Sequence, residues 1–166
     1  PPGITLTTAP NTDVQASYHP EHGYNYNILV QGTLNAETGS NFGILDNVLE
    51  KWKGIDIEGE ANLFNVKIED AVRGITVIQG SNAVIDSCTL TNNIAGIHVL
   101  KTNQLLHATE FSNNIYGVKE EKGTSAQVTD CIFINNIFDY YHGTLTRLTM
   151  EEINNLPGCQ GNTNGG

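Results

Sequence analysis

Cations are scarce in this chain of 166 residues: eight Lys and Arg stand against eighteen Asp and Glu, a formal charge of −10. So acidic a balance disfavours nucleic acid, whose phosphates demand a basic face, and offers little to an anionic membrane surface. Long apolar runs are missing too. No stretch approaches the roughly 18 apolar residues that a membrane-spanning helix requires. There is one Met and one Trp. The opening Pro1-Pro2-Gly3 carries no leader pattern and reads as a processed start, which leaves export open.

Cysteine is sparse as well, and the three present do not form a disulfide framework. Cys88 and Cys131 occupy equivalent places two repeat units apart. At roughly 4.8 Å per stacked strand they stand about 10 Å apart, beyond the roughly 7 Å Cα separation a bridge tolerates. Both therefore read as buried, reduced, small apolar residues. Cys159 falls in a Gly/Asn-rich tail and reads as free.

What the chain has in quantity is repetition. Trp52-Lys53-Gly54-Ile55, Val72-Arg73-Gly74-Ile75, Ile94-Ala95-Gly96-Ile97, Ile115-Tyr116-Gly117-Val118 and a degenerate Ile137-Phe138-Asp139-Tyr140 recur through residues 52–141. Asn92-Asn93, Asn113-Asn114 and Asn135-Asn136 close three of the units. The glycines at positions 54, 74, 96 and 117 recur with a period of about 21 residues, the mark of a solenoid in which each coil buries its apolar side against the next. Laid on one another, the units give inward columns. One reads Trp52, Val72, Ile94, Ile115, Ile137, and another Ile55, Ile75, Ile97, Val118, Tyr140. A third reads Ile68, Leu90, Phe111, Phe133, and a fourth Val66, Cys88, Thr109, Cys131. The Asn pairs sit at turns, where Asn tolerates left-handed backbone and its amide can bond the next coil.

The expected architecture is all-β: a right-handed, single-stranded parallel β-helix with a short C-terminal capping helix, forming one domain over 1–166. Residues 1–50 read as irregular N-terminal coils and 51–141 as regular ones, with a cap over 142–158 and a flexible tail over 159–166. Thr149-Met150-Glu151-Glu152 fits a capping box, and Met150, Ile153 and Leu156 share one helical face before Pro157-Gly158. Such a helix would cover the open end of the stack.

Units of the form Ile-x-Gly-Ile-x-Val…Cys-x-Phe-x-Asn-Asn resemble the right-handed parallel β-helix of the pectate-lyase-like superfamily. The resemblance covers about residues 50–141 well and extends weakly through Ile28–Ala36, which is similar to the opening coil of many exported β-helix proteins. It implies a secreted or cell-surface location. Its motifs specify the fold rather than a function, because lyases, hydrolases, epimerases, tailspikes, adhesins and carbohydrate-binding modules share it. The acidic calcium cluster of lyase-type sites finds only Asp56 and Glu58 here. The close aspartates of polygalacturonase-type sites find Asp86 and Asp130 two coils apart, with His107 between them. The Asp-Pro-His-Glu segment of alginate-type epimerases finds only His19-Pro20-Glu21-His22, in a different order. No catalytic residue, metal site or cofactor is carried over.

Two candidate ligand surfaces remain. One is an outward face bearing Lys53, Arg73, His98, Tyr116, Lys119 and Tyr141, expected to point to solvent and suited to stacking on sugar rings and bonding hydroxyls or carboxylates. The other is the early loop with Tyr18, Tyr24 and Tyr26. For each, the plainer reading is ordinary surface or packing. The expected function is a non-catalytic extracellular module, polysaccharide-binding, adhesive or structural, acting as a monomer or as part of a larger surface protein. The competing class is a carbohydrate-active enzyme with Lys119 or His98 as base.

Overall fold

The structure is a computed structural model that describes residues 4–17, 26–45 and 51–143. Among these residues it contains eighteen strands and no helix. The strands build three parallel sheets, and each sheet takes every third strand. The first sheet holds β1 (Thr5–Thr7), β4 (Thr33–Ala36), β7 (Glu60–Phe64), β10 (Asn82–Asp86), β13 (Gln104–His107) and β16 (Ala126–Thr129). The second holds β2 (Asp13–Ala16), β5 (Asn41–Ile44), β8 (Lys67–Glu69), β11 (Thr89–Thr91), β14 (Glu110–Ser112) and β17 (Ile132–Ile134). The third holds β3 (Asn27–Val30), β6 (Trp52–Ile57), β9 (Ala71–Ile78), β12 (Ala95–Leu100), β15 (Tyr116–Glu120) and β18 (Phe138–His142). Six strands per sheet make six stacked coils. The first two coils are the longest. Thr5 pairs with Thr33 and Thr33 with Glu60, whereas later in the same sheet Asn82 pairs with Glu60 and Gln104 with Ala126 after shorter turns.

The inward columns pack as ladders of like on like. Ile55, Ile75, Ile97 and Val118 pair in register and are all 0 % exposed. Ile68, Leu90 and Phe111 do the same in the second sheet, and Phe111 stacks on Phe133 with centroids 5.1 Å apart. A third ladder escaped the sequence reading. Three residues past each glycine, Ile57, Val77 and Val99 are buried, and the column then continues through Glu120 and His142.

One expected column is corrected. Trp52 pairs with Ala71 rather than Val72, and Val72, Ile94, Ile115 and Ile137 are only half-buried. The cause is the corner just before them. Asp70, Asn92, Asn113 and Asn135 hold φ of 58, 54, 56 and 53°, a left-handed step that breaks the period-two alternation. The residue after each step turns inward. Asn93 Oδ1 accepts the Ala71 N–H, Asn114 Oδ1 the Asn93 N–H and Asn136 Oδ1 the Asn114 N–H, each at 2.9 Å. The same amides donate to the carbonyls of Ile68, Leu90 and Phe111 at 3.2, 2.8 and 2.8 Å. The glycines beside this corner have no room for a side chain. A Cβ at Gly96 would stand 2.7 Å from Gly117 O and 3.0 Å from the Phe111 ring.

Cys88 is buried, and desolvation pushes its thiol pKa up to about 11. Cys131 is free, like Cys88, but only half-buried, which corrects the expectation for it. It belongs to the last described coil, where nothing described stacks on it. The expected capping helix, the tail and Cys159 lie outside the described residues.

Candidate functional site

Beyond each glycine of the third sheet the side chains alternate, with Ile75 and Val77 inward and Thr76 outward. Register carries this outward position from coil to coil, so Asp56, Thr76, His98, Lys119 and Tyr141 form one row, as their spacing predicts. A second row runs Arg73, Ala95, Tyr116, Phe138. Lys53 does not join it, because Gly54 is the residue in register with Arg73; Lys53 is exposed beside it.

Tyr116, His98 and Lys119 do not stand out in solvent. They are 3, 7 and 5 % exposed, which overturns the expectation of a fully solvated face. The cause visible among the described residues is lateral packing. Tyr116 stacks on Phe138 at 5.3 Å and meets the edge of Tyr141 at 5.2 Å. Burial, and then Tyr141, raises the Tyr116 pKa. Lys119 Nζ donates to Glu121 Oε1 at 2.7 Å and lies 3.2 Å from His98 Nε2. His98 Nε2 is in turn 3.0 Å from the same carboxylate oxygen.

The hydrogen bond from Lys119, more than any other factor, holds the Glu121 pKa down. Burial first, and then the Lys119 ammonium, push the His98 pKa down against the pull of Glu121. His98 is therefore a neutral imidazole at pH 7. In its Nε2–H tautomer it donates to Glu121, and Nδ1 is a bare acceptor. Glu121 was missed in the sequence. Only the coil geometry shows that a residue two past Lys119 turns back over the row.

Lys119, Glu121 and His98 Nε2 partner one another, but other polar atoms of this face have no partner among the described residues. His98 Nδ1, Thr76 Oγ1 and Arg73 Nε are buried and have no hydrogen-bond partner among the described residues. Thr76 and His98 are adjacent in register, and Arg73 lies on the same strand as Thr76. A buried polar atom without a partner costs roughly 1–3 kcal/mol. Of the three, Arg73 Nε is a donor, His98 Nδ1 an acceptor and Thr76 Oγ1 either, a set that hydroxyl groups match. Across the stack, His107 bridges Asp86 and Asp130 at 3.2 and 3.7 Å, but this row is largely open to water. Hydrogen bonds from Ser87 and then His107 lower the Asp86 pKa.

Of the early loop, Tyr18 and Tyr24 lie outside the described residues. Tyr26 is exposed and lines a cleft of about 310 Å³ with Val14, Ile28 and Trp52. A further polar cluster went unread in the sequence. Glu120, 3 % exposed after the aliphatic Ile57, Val77 and Val99 of its column, accepts from Ala126 N–H and Tyr140 O–H and pairs with His142 Nδ1 at 2.9 Å. Burial and Glu120 push the Tyr140 hydroxyl up to about 12. The signal was available: counting three residues past each glycine reads Ile57, Val77, Val99, Glu120.

The fold class is that of a three-sheet parallel solenoid. The chain belongs to the right-handed beta helix family, whose model, described as a right handed beta helix region, matches residues 31–164. Neither the comparison with curated proteins nor that with solved structures gave a match.

Proposed function

We infer that this β-helix is a non-catalytic extracellular module, secreted or at the cell surface, that binds a polysaccharide or cell-surface glycan along the outer rows of its third sheet. The observation that carries the reading is the set of three neighbouring buried polar atoms without partners among the described residues, Arg73 Nε, Thr76 Oγ1 and His98 Nδ1. A sugar hydroxyl would donate to His98 Nδ1, a hydroxyl or carboxylate oxygen would accept from Arg73 Nε and Thr76 Oγ1, and the Tyr116, Phe138 and Tyr141 rings beside them suit a pyranose face. Catalysis is the second reading, favoured by one observation: a neutral His98 whose Nδ1 has no partner among the described residues is able to take a proton. Against it, the nearby carboxylate of Glu121 is already held by Lys119 and His98.

A glycan array followed by an assay for unsaturated products separates the two. The binding module holds a glycan without turning it over, and Thr76→Val weakens that binding about tenfold or more, while Tyr26→Ala leaves it unchanged. Turnover makes the protein an enzyme. Silence of the wild type on the array, or a loss confined to Tyr26→Ala, removes the row.

A further inference from the structure

The outer face of the third sheet balances its own charges. Arg73 and Lys119 stand there against Asp56 and Glu121, so the four formal charges cancel. Lys119, only 5 % exposed, is already paired, since its Nζ donates to Glu121 Oε1 at 2.7 Å. A turn fixes that carboxylate in place. Thr124 Oγ1 accepts the Glu121 N–H at 3.0 Å and lies 2.9 Å from Val99 O, and Gly123 supplies the φ of 86° that the turn needs.

Glu121 also sets the polarity of His98. Its Oε1 stands 3.0 Å from His98 Nε2, where a bare nitrogen lone pair would repel a carboxylate, so the ring proton sits on Nε2. Nδ1 can then only accept, and it is buried without a partner among the described residues. Thr76, its neighbour in register, is 3 % exposed and presents a hydroxyl in the same state.

We propose, resting on the glycan-binding reading above, that this face selects an uncharged glycan and rejects a uronate-bearing one. A hydroxyl both donates and accepts, so it serves Arg73 Nε, Thr76 Oγ1 and His98 Nδ1 alike. A carboxylate is an acceptor only and gives His98 Nδ1 nothing. It must also leave water to enter, which is unfavourable unless a cation there is free to pair with it. Lys119 is not free, and Lys53 lies exposed in water, where salt screens it. Arg73 is the one buried donor of the face that suits a carboxylate. Against it stand Asp56, in register with Thr76, and the formal charge of −10, which repels a chain of uronates.

Binding of the whole chain at pH 7 to neutral and uronate glycans tests this. The probes are linear glucose, galactose and mannose oligomers and their uronate counterparts, in which a carboxylate replaces each hydroxymethyl group, printed beside the general array. The tightest neutral glycan should bind at least about tenfold more tightly than any uronate glycan. A smaller difference, or a preference for a uronate that added salt weakens, overturns the inference and leaves the glycan-binding reading standing. Silence of every glycan removes that reading and the inference with it. Glu121→Gln, which strips Lys119 of its counter-charge, should narrow the neutral preference by at least about threefold. An unchanged preference in that variant means that charge pairing does not set the selectivity, and the inference fails. Imidazole nitrogen shifts of His98 in the free protein should place the proton on Nε2. A proton on Nδ1 overturns the inference whatever binds.

Discussion

The asparagine corner and the outer rows of the third sheet are both polar, both buried and only a few residues apart, yet they end in opposite states. At the corner, Asn93 and Asn114 each give and receive hydrogen bonds from coil to coil. In the rows, Arg73, Thr76 and His98 each keep a buried atom that bonds nothing described. The difference follows from repetition. A ladder in which the same residue recurs in every coil supplies its own partner, one coil away. A row that reads Asp56, Thr76, His98, Lys119, Tyr141 changes chemistry at each step and has no such guarantee. Polar groups that repeat therefore find their partner in the next coil, whereas those that do not repeat either meet a neighbour by local geometry, as Lys119 meets Glu121, or keep a buried atom unpaired among the described residues, as Thr76 does.

The largest expected effect comes from the corner. Asn114→Ala leaves the Asn93 N–H without its acceptor and Leu90 O without its donor, so it should cost about 2–4 kcal/mol in a urea titration. A loss under about 0.5 kcal/mol would dissolve the contrast from the structural side. Next is the cluster of Lys119, Glu121 and His98. Lys119→Ala removes the donor that does most to hold the Glu121 carboxyl low, and should cost about 1–2 kcal/mol while Glu121 rises towards its ordinary 4.5. NMR titration of Glu121 in the two proteins checks it. An unmoved Glu121 would mean that the ion pair does not form in solution.

A smaller effect is the pH dependence. The folded-state pKa of His98 lies below its ordinary 6.5, so the folded chain binds fewer protons than the unfolded one once the pH drops under about 6.5. Stability should fall from there until the folded pKa is passed. Glu121, also lowered, adds a loss as the pH falls further through its own folded value. His98→Gln should flatten the limb that begins near pH 6.5 in urea midpoints against pH. A limb of unchanged slope would take His98 out of the buried row.

How much of this was legible in the sequence follows the same division. The ladders of Ile55, Ile75, Ile97, Val118 and of Ile68, Leu90, Phe111, Phe133 were readable because a coil forces like onto like at fixed spacing. The membership of the outward row was readable for that reason too. The Trp52 column was misread, because a left-handed residue at each corner shifts the alternation by one and spacing alone does not reveal backbone dihedrals. The burial of Tyr116, His98 and Lys119 was also hidden. It depends on lateral contacts, and on Glu121 reaching back across a turn, which no period encodes.

The division between repeating and non-repeating polar groups is tested most sharply by the unfolding free energy of Thr76→Val. The substitution keeps the shape and removes a buried hydroxyl for which the coil provides no partner. Stability should be unchanged or higher, by up to about 1 kcal/mol, in denaturant unfolding. A loss of about 1 kcal/mol or more would mean that the hydroxyl is already bonded within the folded chain, and the row would then be structure like the corner.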